Sequence, residues 1–427
     1  MSILTGPMHW HLDGHKDLTA HSEVRTMPDP DIIRIPLFNG NAVCTPLVKV
    51  GDEVKAGQKI AERNDHFYLP LYSPVSGTVT AIEKRQTSVL KPYDHLVITN
   101  DHKNTFCKPF ETLDYEKATN EELLAFVKEA GPLGLGGAGF PTYVKYLKPE
   151  NVDLFIINAV ECEPYLTSDY ANALANPEQL KTGALALFKL STAKKACVAV
   201  KEDKKELIAS LTKTFEGTPV EVHTVPDIYP AGWERELVWL ITGKRYGKLP
   251  MEAGCILNNV STCIALGDAL SEGRPIMYKT VTVSGDGVKQ PQNVIVPVGT
   301  MASDIIQFCG GYEGDDCLLI AGGPMMGKTI PNDQFVIGYA CGALTVLKHR
   351  DPFSVKCLRC GKCTEVCPAG MEPVRINNCE KLKDVETLKK LDINSCIECG
   401  LCTYICPSML DVTEGIRKAK RYMALVK

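Results

Sequence analysis

The sequence predicts a multidomain chain of mixed α/β and α+β class, and three observations carry that prediction. Residues 36–84 hold short Val/Ile-rich runs separated by Gly-Asp, Ala-Gly and Ser-Gly turns, the pattern of a small all-β domain. From 114 to about 270, apolar strand-like runs alternate with helical stretches, the pattern of a parallel sheet covered by helices. The last 75 or so residues hold two tight cysteine runs. The expected division is 1–112, 113–275, 276–350 and 351–427.

The 427-residue length is ample for several cores at ~150 residues each, and 44% apolar content can fill them. The net charge is −4 and no block of Lys or Arg forms a basic stripe, so nucleic acid is not an expected partner. No basic stretch leads into an apolar run at the N-terminus, and no stretch of ~18 apolar residues occurs. The expectation is a chain that neither enters the export route nor crosses a membrane.

In the first domain, GDEVKAGQKIA and SPVSGTVTAI pair in a way that resembles the hammerhead of biotinyl and lipoyl carriers, a barrel-sandwich. The tip between them, NDHFYLPLY, has no lysine to modify, so the resemblance is architectural. In the second domain ATNEELLAFVKEAG reads as an amphipathic helix closed by Gly131, and VDLFIINAV, KKACVAV and VEVHTV read as buried strands. In the third, MYKTVTVSGDGVKQPQNVIVPVGT returns to β character, ASDIIQFCGG reads as a short helix and CLLIAGG as a strand. The C-terminal part adds two lysine-rich helical stretches, EKLKDVETLKKL and TEGIRKAKRYMALVK. Solvated faces are their simplest role, with docking of an acidic partner the alternative.

The cysteine runs are CLRCGKCTEVCP and CIECGLCTYICP, each obeying C-x2-C-x2-C-x3-C-P. Two-residue spacers let a curled backbone present three thiolates to three corners of a cubane and turn its N–H groups to the sulfides. In proteins with two such runs, the fourth Cys of each ligates the other cluster. Cys357, Cys360, Cys363 and Cys406 are therefore assigned to one [4Fe–4S] cluster, and Cys396, Cys399, Cys402 and Cys367 to the second. Structural zinc needs only four ligands per site and explains neither the third spacer nor the proline. Cys379, between the runs, reads as a buried thiol.

GLGGAGFPTYVK contains G-x-G-x-x-G at Gly134, Gly136 and Gly139, but a helix rather than a strand precedes it, which disfavours a standard dinucleotide turn. Glycines still let the backbone approach a flat ring or a phosphate. This loop, with NAVECEPY, YPAGWERELVWLITG and ILNNVSTC in the same order, resembles the flavin-binding subunit of respiratory complex I over roughly 130–270. That resemblance implies a Rossmann-like domain binding FMN and NAD(H) through Gly134, Gly136, Gly137, Gly139, Phe140, Lys145, Asn158, Glu161, Glu163, Tyr229, Gly232, Glu234, Asn258, Asn259 and Thr262. Leu135, Val160 and Trp233 stand where the complex I protein has Arg, Asp and Glu.

With ECEPYLTSDY, AGGPMMG, the carrier-like first domain and the paired cysteine runs, nearly the whole chain resembles the RnfC family of Rnf electron-transport complexes. That family implies a β-grasp soluble-ligand-binding (SLBB) module around 276–330 and a ferredoxin-like domain with two [4Fe–4S] clusters at the C-terminus. It implies an oxidoreductase component that moves electrons between NADH, FMN and the two clusters. Its implied partners are a ferredoxin-like RnfB protein and the membrane proteins of an ion-translocating complex, with peripheral attachment at the cytoplasmic face of the cell membrane. Glu161 and Glu163, after a strand, are the residues expected beside the nicotinamide ribose or a water at the flavin. A soluble flavoprotein reductase, serving cobalamin or proline reductase, and a relay without NADH binding are the alternatives.

Cys162 lies between those two glutamates, whose charge raises a thiol pKa, so packing is its expected role. His9, His11, His15 and His21 crowd the N-terminus, where a polar surface arm carrying solvated histidines is expected.

Overall fold

The computed structural model describes residues 10–350 and 353–426. In the first domain a four-stranded antiparallel sheet, in the order Ile32–Pro36, Pro92–Asn100, Gly77–Gln86, Glu53–Val54, faces a three-stranded one formed by Thr45–Pro46, Lys59–Asn64 and Tyr68–Tyr72. Ile33, Ile35, Ile60, Leu69, Leu71, Val79, Leu96 and Ile98 fill the space between them.

The expected carrier-like tip is used for packing. Tyr68 donates its amide to Tyr143 Oη at 2.9 Å, and Phe67 meets Phe140 edge-on at 5.3 Å between ring centroids. Tyr68 Oη and Lys59 Nζ both reach the Glu129 carboxylate, at 2.9 Å each. The tip is thus fixed to the next domain at the glycine loop.

That second domain has a parallel sheet in the order Val220–Val225, Lys195–Lys201, Leu154–Asn158, Cys255–Asn259. Helices Pro177–Ser191 and Val260–Glu272 pack closely because Gly183 and Gly267 face backbone: a Cβ at either would come within 1.9 Å of a carbonyl oxygen. The helix Asn120–Ala130 is held by a capping box at Thr119 and ends on Gly131 at φ 68°.

The third domain is a six-stranded mixed sheet built on Tyr278–Ser284 and Gln292–Pro297, with Cys317–Ala321, Lys328–Ile330 and Ala343–Lys348 and the helix Ala302–Phe308. Its outer strand is Arg25–Thr26, pairing in parallel with Val294 and Ile295. The arm before it is therefore not the loose polar arm expected. Trp10 bridges to Tyr229, and Lys16 donates to the carbonyls of Glu163, at 3.0 Å, and Leu166. Thr19 joins a buried network with Thr167, Asn293 and Thr282. Its histidines go separate ways: His11 Nδ1 lies 3.0 Å from the Asp227 carbonyl and His15 stacks on Tyr165. His9 lies outside the described residues.

In the C-terminal domain, helices Pro373–Leu382 and Val412–Leu425 pack around Ile376, Leu388, Ile416 and buried Cys379. The first lysine-rich stretch is two helices, since Lys383 takes a left-handed φ of 57° and Asp384 caps a new helix, Val385–Lys390. No helix among the described residues is long and apolar enough to cross a membrane.

Candidate functional site

Sheet order fixes where a ligand can enter. The strand Leu154–Asn158 has Lys195–Lys201 on one side and Cys255–Asn259 on the other, so the order reverses there, and crevices open at the carboxyl ends of strands flanking such a reversal. Asn158 and Asn259 are register partners at those ends. Over them lies the glycine loop: Leu135 donates its amide to Thr262 Oγ1 at 3.1 Å, and Thr262 Oγ1 donates to the Leu133 carbonyl at 2.9 Å.

Gly136 sits so close to Asn259 that a Cβ would be 2.8 Å from its Nδ2, whereas Gly137, at φ 106°, faces open space. Among the described residues the amides of Gly136, Gly137 and Ala138 have no protein acceptor, and all three residues are exposed. Unused N–H groups on a loop without side chains suit a phosphate or the edge of a flavin. The crevice therefore fits FMN.

The remaining residues supply its walls. Asn158 donates Nδ2 to the Gly232 carbonyl at 2.8 Å, and a Cβ on Gly232 would fall 2.0 Å from the Val160 carbonyl, so strand end and loop interlock. Lys145 donates to the Leu257 carbonyl at 2.6 Å and lies 3.4 Å from Glu234 Oε1. Asn258 donates to Tyr146 Oη, and Asn259 Oδ1 caps the helix Val260–Glu272 through the amides of Ser261 and Thr262. Thus Gly136 and Thr262 meet at Asn259, Asn158 holds Gly232, and Lys145 lies beside Glu234, near the ends of two neighbouring strands, while Phe140 packs on Phe67 of the first domain.

The two glutamates part company. Glu161 accepts from Ser168 Oγ at 3.3 Å and the Asp169 amide at 3.1 Å, at the start of the helix Ser168–Ala175. Glu163 accepts from the amides of Met325, at 2.8 Å, and Met326, at 3.0 Å, in the GPMMG turn of the third domain, and burial raises its pKa. Both carboxylates are thus engaged by protein donors. Tyr229, fully buried, lies between Glu163 and the cysteine domain: its Oη is 3.4 Å from Glu163 Oε2 and donates to the Cys399 carbonyl at 2.7 Å.

Sequence reasoning missed two residues here. Asp169 accepts from Asn259 Nδ2 at 2.7 Å and Ser261 Oγ at 2.6 Å, holding Asn259 beneath the loop; burial and the nearby Glu161 charge raise its pKa. The signal was its place at a helix start within ECEPYLTSDY. Lys16, whose ammonium is driven below its usual pKa by burial, had no local signal at all. The Cys162 thiol is pushed up to about 11 by burial and by Glu163, which opposes nucleophilic use.

The cysteine runs adopt the same local form twice. Arg359 and Glu398 both take φ 56°, Gly361 and Gly400 take 80° and 82°, and each run continues into a one-turn helix, Lys362–Glu365 or Leu401–Tyr404. In both, the amide of the second spacer residue points back to sulfur: Arg359 to Cys357 Sγ at 3.3 Å and Glu398 to Cys396 Sγ at 3.4 Å. Cys367, Cys396, Cys399 and Cys402 line one small cavity, the crossed set expected for the second cluster. The other end of the second run returns to the first, as Val355 donates to the Ser408 carbonyl at 3.1 Å and Ser408 Oγ to the Lys356 carbonyl at 3.2 Å.

No three described Cys, His, Asp or Glu groups converge tightly enough to share a single ion. A cubane instead separates its ligand sulfurs by its own edges and needs thiols around a cavity with N–H groups aimed at sulfur, which is what Cys367, Cys396, Cys399 and Cys402 offer with the Glu398 amide. Iron binding would favour the thiolate forms that burial disfavours at Cys399 and Cys402.

Comparison with known proteins agrees with this arrangement. Family models match as an RnfC barrel sandwich hybrid domain over residues 8–103, a Nuo51 FMN-binding domain over 127–268, an SLBB domain over 280–329 and a 4Fe-4S dicluster domain over 353–407. The chain is 36% identical over 372 residues, 85% of its length and 81% of the relative's, to the C subunit of the proton-translocating ferredoxin:NAD(+) oxidoreductase complex of Clostridium ljungdahlii. It is 33% identical to the C subunit of the Na(+)-translocating ferredoxin:NAD(+) oxidoreductase complex of Acetobacterium woodii, over 86% of this chain and 85% of that one. It is 34% identical to the C subunit of the ion-translocating oxidoreductase complex of Rhodobacter capsulatus, over 90% and 76%. A crystal structure of an NAD+-reducing [NiFe]-hydrogenase in the air-oxidized state shares the fold at a TM-score of 0.51 and 19% identity, covering 72% of this chain and 63% of that one. On its domain order and these relatives, the chain belongs to the RnfC family, the C subunits of Rnf-type ion-translocating oxidoreductase complexes.

Proposed function

We infer that this chain is the NAD(H)-exchanging, electron-transferring component of an Rnf-type ferredoxin:NAD+ oxidoreductase, an oxidoreductase protein that carries FMN and two [4Fe–4S] clusters. Its partners are the other subunits of that ion-translocating complex. The observation that carries this reading is the direct contact between the flavin-type domain and the cysteine domain: Tyr229, in the loop that continues to Gly232, donates its Oη to the Cys399 carbonyl.

When bound, FMN supplies the two-electron-to-one-electron exchange that joins a nicotinamide to iron–sulfur clusters. The protein's own residues do the placing. The glycine loop and the amides of Gly136 to Ala138 receive the flavin, with Lys145 supplying a positive charge beside it. Asn158, Gly232, Asn258, Asn259 and Thr262 hold the crevice in shape. Tyr229 and Glu163 fasten the crevice to the cysteine domain, and no general base is required. Cys357, Cys360, Cys363 and Cys406 hold one cluster, and Cys396, Cys399, Cys402 and Cys367 the other, nearer the crevice. Domain limits at 112, 275 and 350 and a position on the cytoplasmic face of the membrane, held there by partner proteins, complete the proposal.

Anaerobic reconstitution tests it: FMN binding that is lost on Gly232→Ala but kept on Cys399→Ser would support two separate sites on one path. FMN binding indifferent to Gly232→Ala would place the flavin elsewhere.

A further inference from the structure

The two cysteine runs form an internal comparison. They share backbone form, so differences between equivalent positions report on what each run faces. In the second run the spacer residues Ile397 and Glu398 and the following Leu401 turn inward. Leu401 is fully buried with Tyr229, Leu12 and Val366, and Glu398 is neutralised by Arg417 at 2.9 Å and Lys420 at 2.8 Å. Position for position, the first run carries Leu358, Arg359 and Lys362, and all three are exposed.

Leu358 is 65% exposed and Phe353, just upstream, 82%. Lys356, Arg359 and Lys362 make no ion pair among the described residues, although Lys383, Arg417, Lys420 and Arg421 in the same domain all do. The segment is not a loose end, because Val355 and Lys356 are tied to Ser408 on either side. Two cluster cysteines, Cys357 and Cys360, lie at its surface.

An apolar pair set among three cations that have no acidic partner among the described residues is what a protein interface of opposite charge is made from: the apolar groups supply burial, the cations steering and register. We propose that the face formed by Phe353, Lys356, Leu358, Arg359 and Lys362 docks an acidic iron–sulfur protein, with Cys357 and Cys360 at the point of closest approach. This rests on the electron-transfer reading above and adds to it the exit surface and the charge of the partner. The lysine-rich helices, the sequence's first choice for such docking, spend Lys383, Lys389, Lys420 and Arg421 on neighbouring acids.

The test uses the full cluster- and FMN-loaded chain with a small acidic bacterial ferredoxin as probe, its Kd measured by calorimetry across ionic strength. Lys356→Glu with Arg359→Glu and Lys362→Glu should weaken binding about tenfold or more at low salt. The difference should fade toward 1 M, where charges are screened beyond ~3 Å. Leu358→Ser should weaken binding at every salt concentration, and Lys389→Glu with Lys390→Glu should leave it unchanged.

An unchanged Kd in the triple variant, with its iron content intact, would overturn the proposal. So would loss of binding to phosphatidylglycerol vesicles in that variant while ferredoxin still binds, since the face would then belong to the membrane surface. Failure of NADH to bleach the flavin in the unaltered chain would count against the electron-transfer reading alone, because ferredoxin binding is read separately.

Discussion

Tyr229 Oη donates to the backbone carbonyl of Cys399 at 2.7 Å, so a residue of the flavin-type domain is hydrogen-bonded to a cysteine of the second cysteine run. Neither partner is solvent-exposed, and Leu12, Val366 and Leu401 close around them. The contact seats the second cysteine run, through Cys399 and Leu401, against the flavin-type domain.

Tyr229→Phe should leave the Cys399 carbonyl without its donor while keeping the packing. Leaving a buried acceptor unpaired costs about 1–3 kcal/mol. A fall of that size in urea-unfolding stability, with iron content preserved, is the expected outcome. Iron loss from one cluster instead would assign the hydroxyl a direct part in holding the Cys399 run.

Crossed ligation predicts which cysteines fall together. Cys367→Ser should remove the same EPR signal as Cys399→Ser, and Cys406→Ser the same one as Cys360→Ser, each halving an iron content of about 8. Pairing of Cys367 with Cys360 would refute the crossing.

Glycines in the crevice should differ by what a Cβ would strike. At Gly232 it would meet the Val160 carbonyl at 2.0 Å, so Gly232→Ala should abolish FMN binding or fold recovery. At Gly137 it would meet open space, leaving only the strain of φ 106°, about 1–3 kcal/mol. Fluorescence-quenching titration with FMN should rank Gly137→Ala as much the milder change.

Glu236 gives a pH signature away from the site. It is buried, its Oε1 has no hydrogen-bond partner, and burial raises its pKa to about 7. The folded state then holds a proton that the unfolded chain releases near its ordinary value of 4.5. Its contribution to stability is therefore present below 4.5 and lost as pH rises toward about 7, on the order of 3 kcal/mol in all. Glu236→Gln should remove that part of the slope, so the stability difference between variant and parent should grow from pH 4.5 to 7 and then level. A pH-independent difference would contradict it.

How much of this was legible in the chain depended on how local each feature is. The cysteine runs were, because a cubane imposes its spacing on twelve consecutive residues, and the cavity lined by Cys367, Cys396, Cys399 and Cys402 follows from that spacing. The strands from Leu154 and Lys195 were legible from their apolar runs, but their order across the sheet was not, and that order creates the crevice. The arm was not legible because what fixes it is far away: Arg25 pairs with Val294, and Lys16 is bonded to carbonyls about 150 residues on. Its polar composition resembles a solvated tail until those partners are known. Glu163 follows a strand and so reads as a ligand contact; the GPMMG turn that claims its carboxylate comes from another domain.

The central claim is that one chain joins a nicotinamide-reducible flavin to two clusters. Anaerobic titration of the FMN- and cluster-reconstituted protein with NADH, following flavin absorbance alongside iron and sulfide content, tests it most directly. The account predicts one FMN bleached by NADH in a protein holding about 8 irons, with cluster absorbance falling in turn. About 8 irons with a flavin that NADH leaves oxidised would contradict it and leave a relay without a nicotinamide site.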